Sequence, residues 1–354
     1  MLNIFKIIII NFFFLIFFLE LLSFILIQIK IIPKHLPPVM ALHAHKEYSF
    51  WHPIKKKMTL SSKCWISNVE FNDIGLKSSN NYNYTKKDKQ RIAIIGDSMT
   101  ENIQLSNEHD FSSKLQSKLT NYEIINFSVA STGLADQIDI YNKLVKKFEI
   151  DYIFLFITEN DFDDNHISAR RSNRLSYNIE NNKIVEYNRD ENFFNEYFSF
   201  INRFKRQYLF YVKDYSNSFK LYYELKNNIL NLSFSNQSNV LNNNKLSEKT
   251  KIYTYLKEKF ISSIDDKTNI FVFFNIYNQS FLKENERRAI MKKIWSSSEF
   301  FFDPQVEAVE YLKKINKLNF PYMGFSCDAH YSELGAEFLA NFVINKFIYY
   351  INNK

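Results

Sequence analysis

Four short stretches of this chain, 92–95, 122–127, 152–157 and 269–276, are predominantly apolar, and segments of helical spacing lie between them. That alternation constrains the fold more than any other feature. A strand that is apolar at nearly every position, rather than at every second one, has no face to give to water and must be covered on both sides. Such strands, separated by helical segments at 111–119 and 137–148, make parallel βαβ units. The expectation is an α/β domain over 91–350 whose parallel sheet lies between two helical layers.

The first run ends in Gly96-Asp97-Ser98 and opens into a polar segment, 100–107. A serine just past the carboxyl end of a buried strand stands where open α/β sheets bind their ligands. A tight turn into a helix there also projects the hydroxyl and aims backbone N–H groups at it. Taken alone, the tripeptide fits a turn without chemistry equally well. Only 5 of the 354 residues are glycine, so each marks a backbone requirement. Gly96, Gly133 and Gly335 all fall in the segments considered below.

Residues 7–29 impose a second constraint. Asn11, Glu20, Ser23 and Gln28 are the exceptions among 23 otherwise apolar positions, enough to span a bilayer as a helix. Glu20 costs about 3 kcal/mol near the centre, against roughly −9 kcal/mol from the apolar residues, so insertion wins. The exit, Gln28-Ile-Lys-Ile-Ile-Pro33, offers no small-residue cleavage site, and an uncleaved single-pass anchor is expected. Glu20 would face a partner helix, protonate, or stand as a tolerated lone carboxylate. Residues 30–90 read as an irregular, basic juxtamembrane connector broken by Pro33, Pro37, Pro38 and Pro53. Residues 165–267, rich in Asn, Tyr, Phe and Lys, read as a mostly helical insertion, with helical stretches near 193–230 and 248–262. Ser332 is placed to N-cap a final amphipathic helix from 333 to about 350.

The net charge of +7 and pI near 9.0 permit contact with an anionic surface, but the lysines are scattered and no nucleic-acid module is present. Nucleic acid is therefore not an expected partner. Cys64 and Cys327 lack metal-ligand spacing and are either free or paired. Lys6 and the terminal amine precede the apolar span, and Lys30, Lys34 and Lys46 follow it. That three-to-two count leans toward a cytoplasmic C-terminal domain.

Three further segments follow strands or open helices: 128–133 after the second run, Thr158-Glu-Asn-Asp161 after the third, and Cys327-Asp-Ala-His-Tyr-Ser332 before the last helix. Loops after successive parallel strands share one sheet edge, so these segments and Ser98 should converge. The chemistry this permits is acyl transfer. A serine hydroxyl needs a base such as His330 to attack an ester, and the imidazole needs a partner such as Asp328 to fix its tautomer. The tetrahedral oxyanion needs preorganised donors. A backbone N–H in 128–133 and the Asn160 amide are candidates.

These blocks resemble those of the SGNH/GDSL hydrolases, in particular membrane-anchored bacterial members. Gly96-Asp-Ser98 is similar to the first family block, 126–137 to the second, Glu159-Asn-Asp161 to the third, and Asp328-Ala-His330 with Gly335 to the last. Asn72-Asp-Ile-Gly-Leu76 resembles a short Asn-x-x-Gly-hydrophobic motif that precedes the domain in anchored members. The resemblance implies a three-layer α/β/α, flavodoxin-like parallel sheet with Ser98 as nucleophile, His330 as base and Asp328 as its partner. The implied oxyanion donors are the N–H of Ser98, an N–H at Ser131 or Gly133, and Asn160. Three departures stand out. The second-block glycine position falls on Ser131, Asp and His are two apart rather than three, and Glu159 replaces a common glycine. Asp163, Asp164 and Asn165 read as a solvated loop rather than a metal site, and neither metal nor cofactor is expected.

The expected activity is hydrolysis of a carboxylic ester, with an acylated glycan or lipid as the candidate substrate. The alternatives are O-acyl transfer to a cell-surface glycan by the same residues, and a non-catalytic membrane-anchored accessory protein on the same fold. The resemblance implies a domain outside the cytoplasmic (inner) membrane, against the charge count.

Overall fold

The computed structural model describes residues 2–29, 31–32, 34–35, 41–86, 88–169, 172–234, 243–276, 286–315 and 323–353. Lys30, counted above among the charges after the span, and Pro33, Pro37 and Pro38, taken above to break the connector, lie outside the described residues.

The central sheet has five strands: β1 (Gln90–Ile95), β2 (Tyr122–Asn126), β3 (Tyr152–Ile157), β4 (Asn269–Phe274) and β5 (Phe301–Phe302). Their spatial order is β2-β1-β3-β4-β5, and every neighbouring pair is parallel. This is the doubly wound, flavodoxin-like order, whose strand order reverses between β1 and β3. The first four strands coincide with the apolar runs. β5 was not legible, because a two-residue edge strand is too short to show a period.

Alternation along each strand sorts side chains to opposite faces. Ala93, Ile95, Ile153, Leu155, Val272 and Phe274 meet the helices Leu134–Lys143, Asn243–Ser263 and Glu286–Trp295. Ile92, Ile94, Phe154, Phe156, Phe271 and Phe273 meet Phe111–Lys118, Gln305–Lys314 and Glu333–Asn352. Fully burying a side chain of this size contributes about 1.5–3 kcal/mol, so these layers, more than helix propensity, hold the strand ends and their loops in place. The result is the expected three-layer α/β/α architecture.

Two segments differ from the sequence reading. The stretch before β1 is not irregular: it carries two antiparallel hairpins, His43–His45 with Ser49–Trp51 and Lys56–Ser61 with Ile66–Phe71. Met58, Leu60, Trp65, Val69 and Phe71 form a small core of their own with Ile103, while Tyr48, Trp51 and Leu76 join the main one. Within 165–267, the helix Asn243–Ser263 buries Ile252, Tyr253, Leu256 and Phe260 against the sheet and is part of a covering layer. The more peripheral elements there are a hairpin, Ser176–Glu180 with Lys183–Tyr187, and the helices Glu191–Phe198, Phe200–Tyr215 and Asn217–Phe234. The N-terminal helix, Leu2–Gln28, is long and apolar enough over Ile4–Gln28 to cross a membrane.

Candidate active site

β1 delivers the chain to the switch point between β1 and β3. After Gly96, Asp97 caps a short helix, Ser98–Glu101, by accepting the Met99 N–H at 3.0 Å. The same carboxylate oxygen accepts the Thr158 hydroxyl at 3.1 Å, which ties the loops after β1 and β3 together. Ser98 is thus the first residue of a helical turn, with its N–H at the open end of that turn. Asn102 ends the turn in the left-handed region (φ 52°), and its side chain donates to the Tyr331 carbonyl at 3.0 Å. That bond brings in the loop before the last helix.

Asp328–Tyr331 is a strand paired with Gly324–Phe325. Residues two apart on a strand share a face, so the short Asp-to-His spacing is what this conformation requires. Asp328 Oδ1 accepts from His330 Nδ1 and from the His330 backbone N–H, the latter at 3.1 Å. His330 Nε2 lies 2.8 Å from Ser98 Oγ. With Nδ1–H directed at Asp328, the Nε2 lone pair is left to accept the serine hydroxyl. The other oxygen, Asp328 Oδ2, accepts Trp65 Nε1–H at 3.1 Å and lies 3.5 Å from the Gln104 amide nitrogen. A disulfide between Cys64 and Cys327 fastens the Trp65 segment to this strand. Gly335 lets the last helix approach: a Cβ there would sit 2.1 Å from the Met323 carbonyl oxygen.

Burial pulls the His330 imidazolium down, but the hydrogen bond and charge of Asp328, aided by Asp97 and Glu101, outweigh it and hold the group above its ordinary value. Burial would raise Asp328, yet its hydrogen bonds and the charge of His330 hold it below the usual carboxylate range. Burial pushes Asp97 up to about 6, against the opposing pull of the Met99 N–H and His330. Burial and the Asp97 charge push Asp161 well above the carboxylate range. The arrangement therefore keeps a negative charge behind the imidazole and favours the imidazolium that forms when it takes a proton from the hydroxyl.

In the 128–133 turn, Ser131 adopts φ 63°, the conformation that favours glycine. Gly133 has extended backbone and caps the helix Leu134–Lys143, and a Cβ on it would meet Asn165 Oδ1 at 2.9 Å. Ser131 thus provides the left-handed turn, while Gly133 is needed for close packing. Among the described residues, neither the Ser98 nor the Ser131 backbone N–H has an acceptor. Asn160 stands at the start of a short helix, Asp161–Asp164, with Nδ2 donating to Asp164 Oδ2 at 3.0 Å.

Sequence reasoning missed the support behind this turn. Glu101 is buried, and its Oε2 accepts the Ala130 N–H at 2.6 Å while Oε1 lies 2.6 Å from His52 Nε2. His52 Nδ1 donates to the Gly75 carbonyl at 2.9 Å. The Asn72-x-x-Gly motif makes that carbonyl available: Asn72 Oδ1 accepts the N–H groups of Ile74 and Leu76, and Gly75 turns at φ 83°. The motif was legible; its link to His52, Glu101 and the turn was not, because the contacts are long-range.

The acidic residues after β3 are not a solvated loop. Asp163 pairs with Lys249 at 2.6 Å and Arg287 at 2.9 Å, and Asp164 with Arg174 at 3.1 Å. Asn165 is buried and accepts the Ala135 N–H at 2.8 Å. Glu159 lies 3.5 Å from the buried Arg288.

No family model and no curated protein matches the sequence. Among solved structures the chain is similar to TesA (9% identity, TM-score 0.37, covering 73% of this chain and 97% of that one). It is also similar to a lipase/acylhydrolase from Enterococcus faecalis (10%, TM-score 0.40, 73% and 94%). A third is a catalytic mutant of Axe2, an acetylxylan esterase from Geobacillus stearothermophilus (13%, TM-score 0.40, 73% and 93%).

Proposed function

We propose that this chain is a membrane-anchored serine ester hydrolase that works through an acyl-serine intermediate. One observation carries the reading: an unbroken chain of hydrogen bonds from Ser98 Oγ through His330 to Asp328, at the carboxyl end of β1 beside the switch point. The four blocks resembling SGNH/GDSL hydrolases support it.

In this reading His330 takes the Ser98 proton as the oxygen attacks the ester carbonyl, and Asp328 stabilises the resulting imidazolium. The N–H groups of Ser98 and Ser131 and the Asn160 amide receive the oxyanion. Collapse expels the alcohol, which takes the proton from His330. Water, deprotonated by the same imidazole, then attacks the acyl-serine and releases the acid. A sugar hydroxyl in place of water would make the same intermediate an acyl donor to a glycan. The substrate is an acyl ester borne by a glycan or lipid.

The Cys64–Cys327 disulfide supports a domain outside the cytoplasmic membrane, because such bonds persist in oxidising compartments. Alkaline phosphatase fused after Lys354 should then be active; an inactive fusion beside a fluorescent cytoplasm-only reporter would reverse the orientation.

The test of activity is turnover of aryl esters of graded chain length by the full chain, beside Ser98→Ala, with a fluorophosphonate probe as a second readout. Wild type should turn over and be labelled, and Ser98→Ala should do neither. A folded wild type inert to every ester and to the probe would leave an accessory protein as the better reading.

A further inference from the structure

We propose that Phe200–Tyr215 and Asn217–Phe234 form a helical hairpin whose turn dips into the bilayer beside the N-terminal span, seating the catalytic loop at the membrane surface. The proposal rests on the reading of Ile4–Gln28 as a membrane span.

The key contact is at Glu20. Its carboxylate accepts Ser216 Oγ–H at 2.6 Å, Asn217 N–H at 2.9 Å, Ser218 N–H at 3.3 Å and Ser218 Oγ–H at 2.8 Å. Glu20 is eight residues before Gln28, so at 1.5 Å per residue it lies about 12 Å inside the end of the span. Whatever touches it stands at that depth. An intramembrane carboxylate requires partners, and the hairpin turn supplies four donors.

Lipid demands that non-helical backbone satisfy its polar groups internally, and the N–H groups of the turn do so. The Ser216 N–H donates to Val212 O at 2.8 Å, those of Asn217 and Ser218 to Glu20, that of Phe219 to Ser216 Oγ at 3.1 Å, and that of Lys220 to Ser216 O at 3.4 Å. No consecutive N–H from Ser216 to Lys220 needs water.

Tyr215, beside the turn, is 79% exposed, and Tyr208, Tyr222 and Leu225 are more than half exposed. Tyr222, six residues past Ser216, stands about 9 Å back toward the surface, where an interfacial belt would lie. Exposed Arg203 and Lys205 lie further from the turn, where anionic headgroups would meet them. On the second helix Glu224 is eight residues past Ser216, about 12 Å back toward the surface. There it pairs with Lys63 at 2.6 Å. Lys63 adjoins Cys64, whose disulfide reaches Cys327, next to Asp328. A cleft lined by Ile27, Gln28, Cys64 and Trp65 lies between the end of the span and the same segment.

The test is nitroxide depth measurement on the full chain in vesicles of zwitterionic and anionic phospholipid. Labels are placed at Tyr215→Cys and Tyr222→Cys, at Arg203→Cys on the far part of the hairpin, and at Phe13→Cys in the span. Cys64 and Cys327 are paired and take no label. The Tyr215 label should show a several-fold higher ratio of oxygen to water-soluble nickel accessibility than the Arg203 label, approaching that at Phe13, and the Tyr222 label, about 9 Å nearer the surface, a ratio between them. If those two labels are as nickel-accessible as Arg203 while Phe13 is shielded, the hairpin is aqueous and the proposal falls with the span intact. If Phe13 is nickel-accessible as well, the span reading fails and takes the proposal with it.

Discussion

Replacing Asp328 by asparagine should cost more than a charge. Four donors converge on the two carboxylate oxygens: His330 Nδ1 and backbone N–H on one, Trp65 Nε1–H and the Gln104 amide on the other. An amide has one oxygen and one NH2, so in either orientation it sets a donor against donors. With NH2 toward His330, the imidazole must accept at Nδ1 and carry its proton on Nε2, which abolishes the base facing Ser98. That wrong tautomer lowers kcat by about 10⁴ in a serine triad, or roughly 5.4 kcal/mol at 1.36 kcal/mol per decade. With oxygen toward His330 the tautomer survives, but the buried Trp65 N–H faces NH2, a loss of about 1–3 kcal/mol in stability.

The pH profile separates these outcomes from a merely structural role. His330 must be neutral to act as a base, and its pKa stands above the ordinary value, so kcat/KM should rise with pH through that raised pKa. Asp328→Asn removes the main group holding the imidazolium up, so the acid limb should move to lower pH even as the plateau falls by 10³–10⁴, about 4–5.4 kcal/mol. Initial rates on a soluble ester, followed by pH-stat and normalised to folded protein, provide the measurement. A plateau within tenfold of wild type together with an unmoved limb would show that Asp328 is not the partner of His330.

Ser131→Gly should stabilise the fold by about 0.5–1 kcal/mol, since a side chain at φ 63° is strained, and should leave kcat near wild type because the N–H remains; a lower denaturation midpoint in urea would contradict the strain. Asn160→Asp, which puts a carboxylate where an oxyanion must form, should lower kcat per folded molecule by about 10²–10³, about 3–4 kcal/mol, with KM changed little. A near-wild-type kcat with a lowered melting temperature would reduce Asn160 to a support for Asp164.

What the sequence disclosed was set by how local each signal is. The runs at 92–95 and 152–157 were legible as strands because burial on both faces leaves no polar position. The chain Ser98–His330–Asp328 was approachable because Ser98 follows a buried strand and Asp328 and His330 come shortly before the last helix, and topology then limits where such residues go. The hairpins before β1 were obscured by prolines and lysines, their apolar positions being few and on one face. The contacts of Trp65 with Asp328 and of His52 with Glu101 join residues 263 and 49 apart. No periodicity reports a pairing of that kind.

The three departures from the block pattern each have a local physical compensation. Asp and His two apart would misalign across a helical turn, but on the strand Asp328–Tyr331 they share a face, so the shorter spacing suits the carboxylate-to-Nδ1 bond. Glu159, where a glycine is common, lies against Arg288, which is itself held by Asp303 and the Asn275 carbonyl. Ser131 carries a left-handed turn that a glycine would adopt without strain, and the residue before it is pinned by Glu101 through the Ala130 N–H. That pin depends on His52 and thus on the Gly75 carbonyl, so the turn beside Ser98 is stabilised from a segment that precedes the sheet. The segment between span and sheet is therefore a structural part of the site, which is why residues that read as a connector carry two hairpins, a disulfide and a hydrogen bond to Asp328.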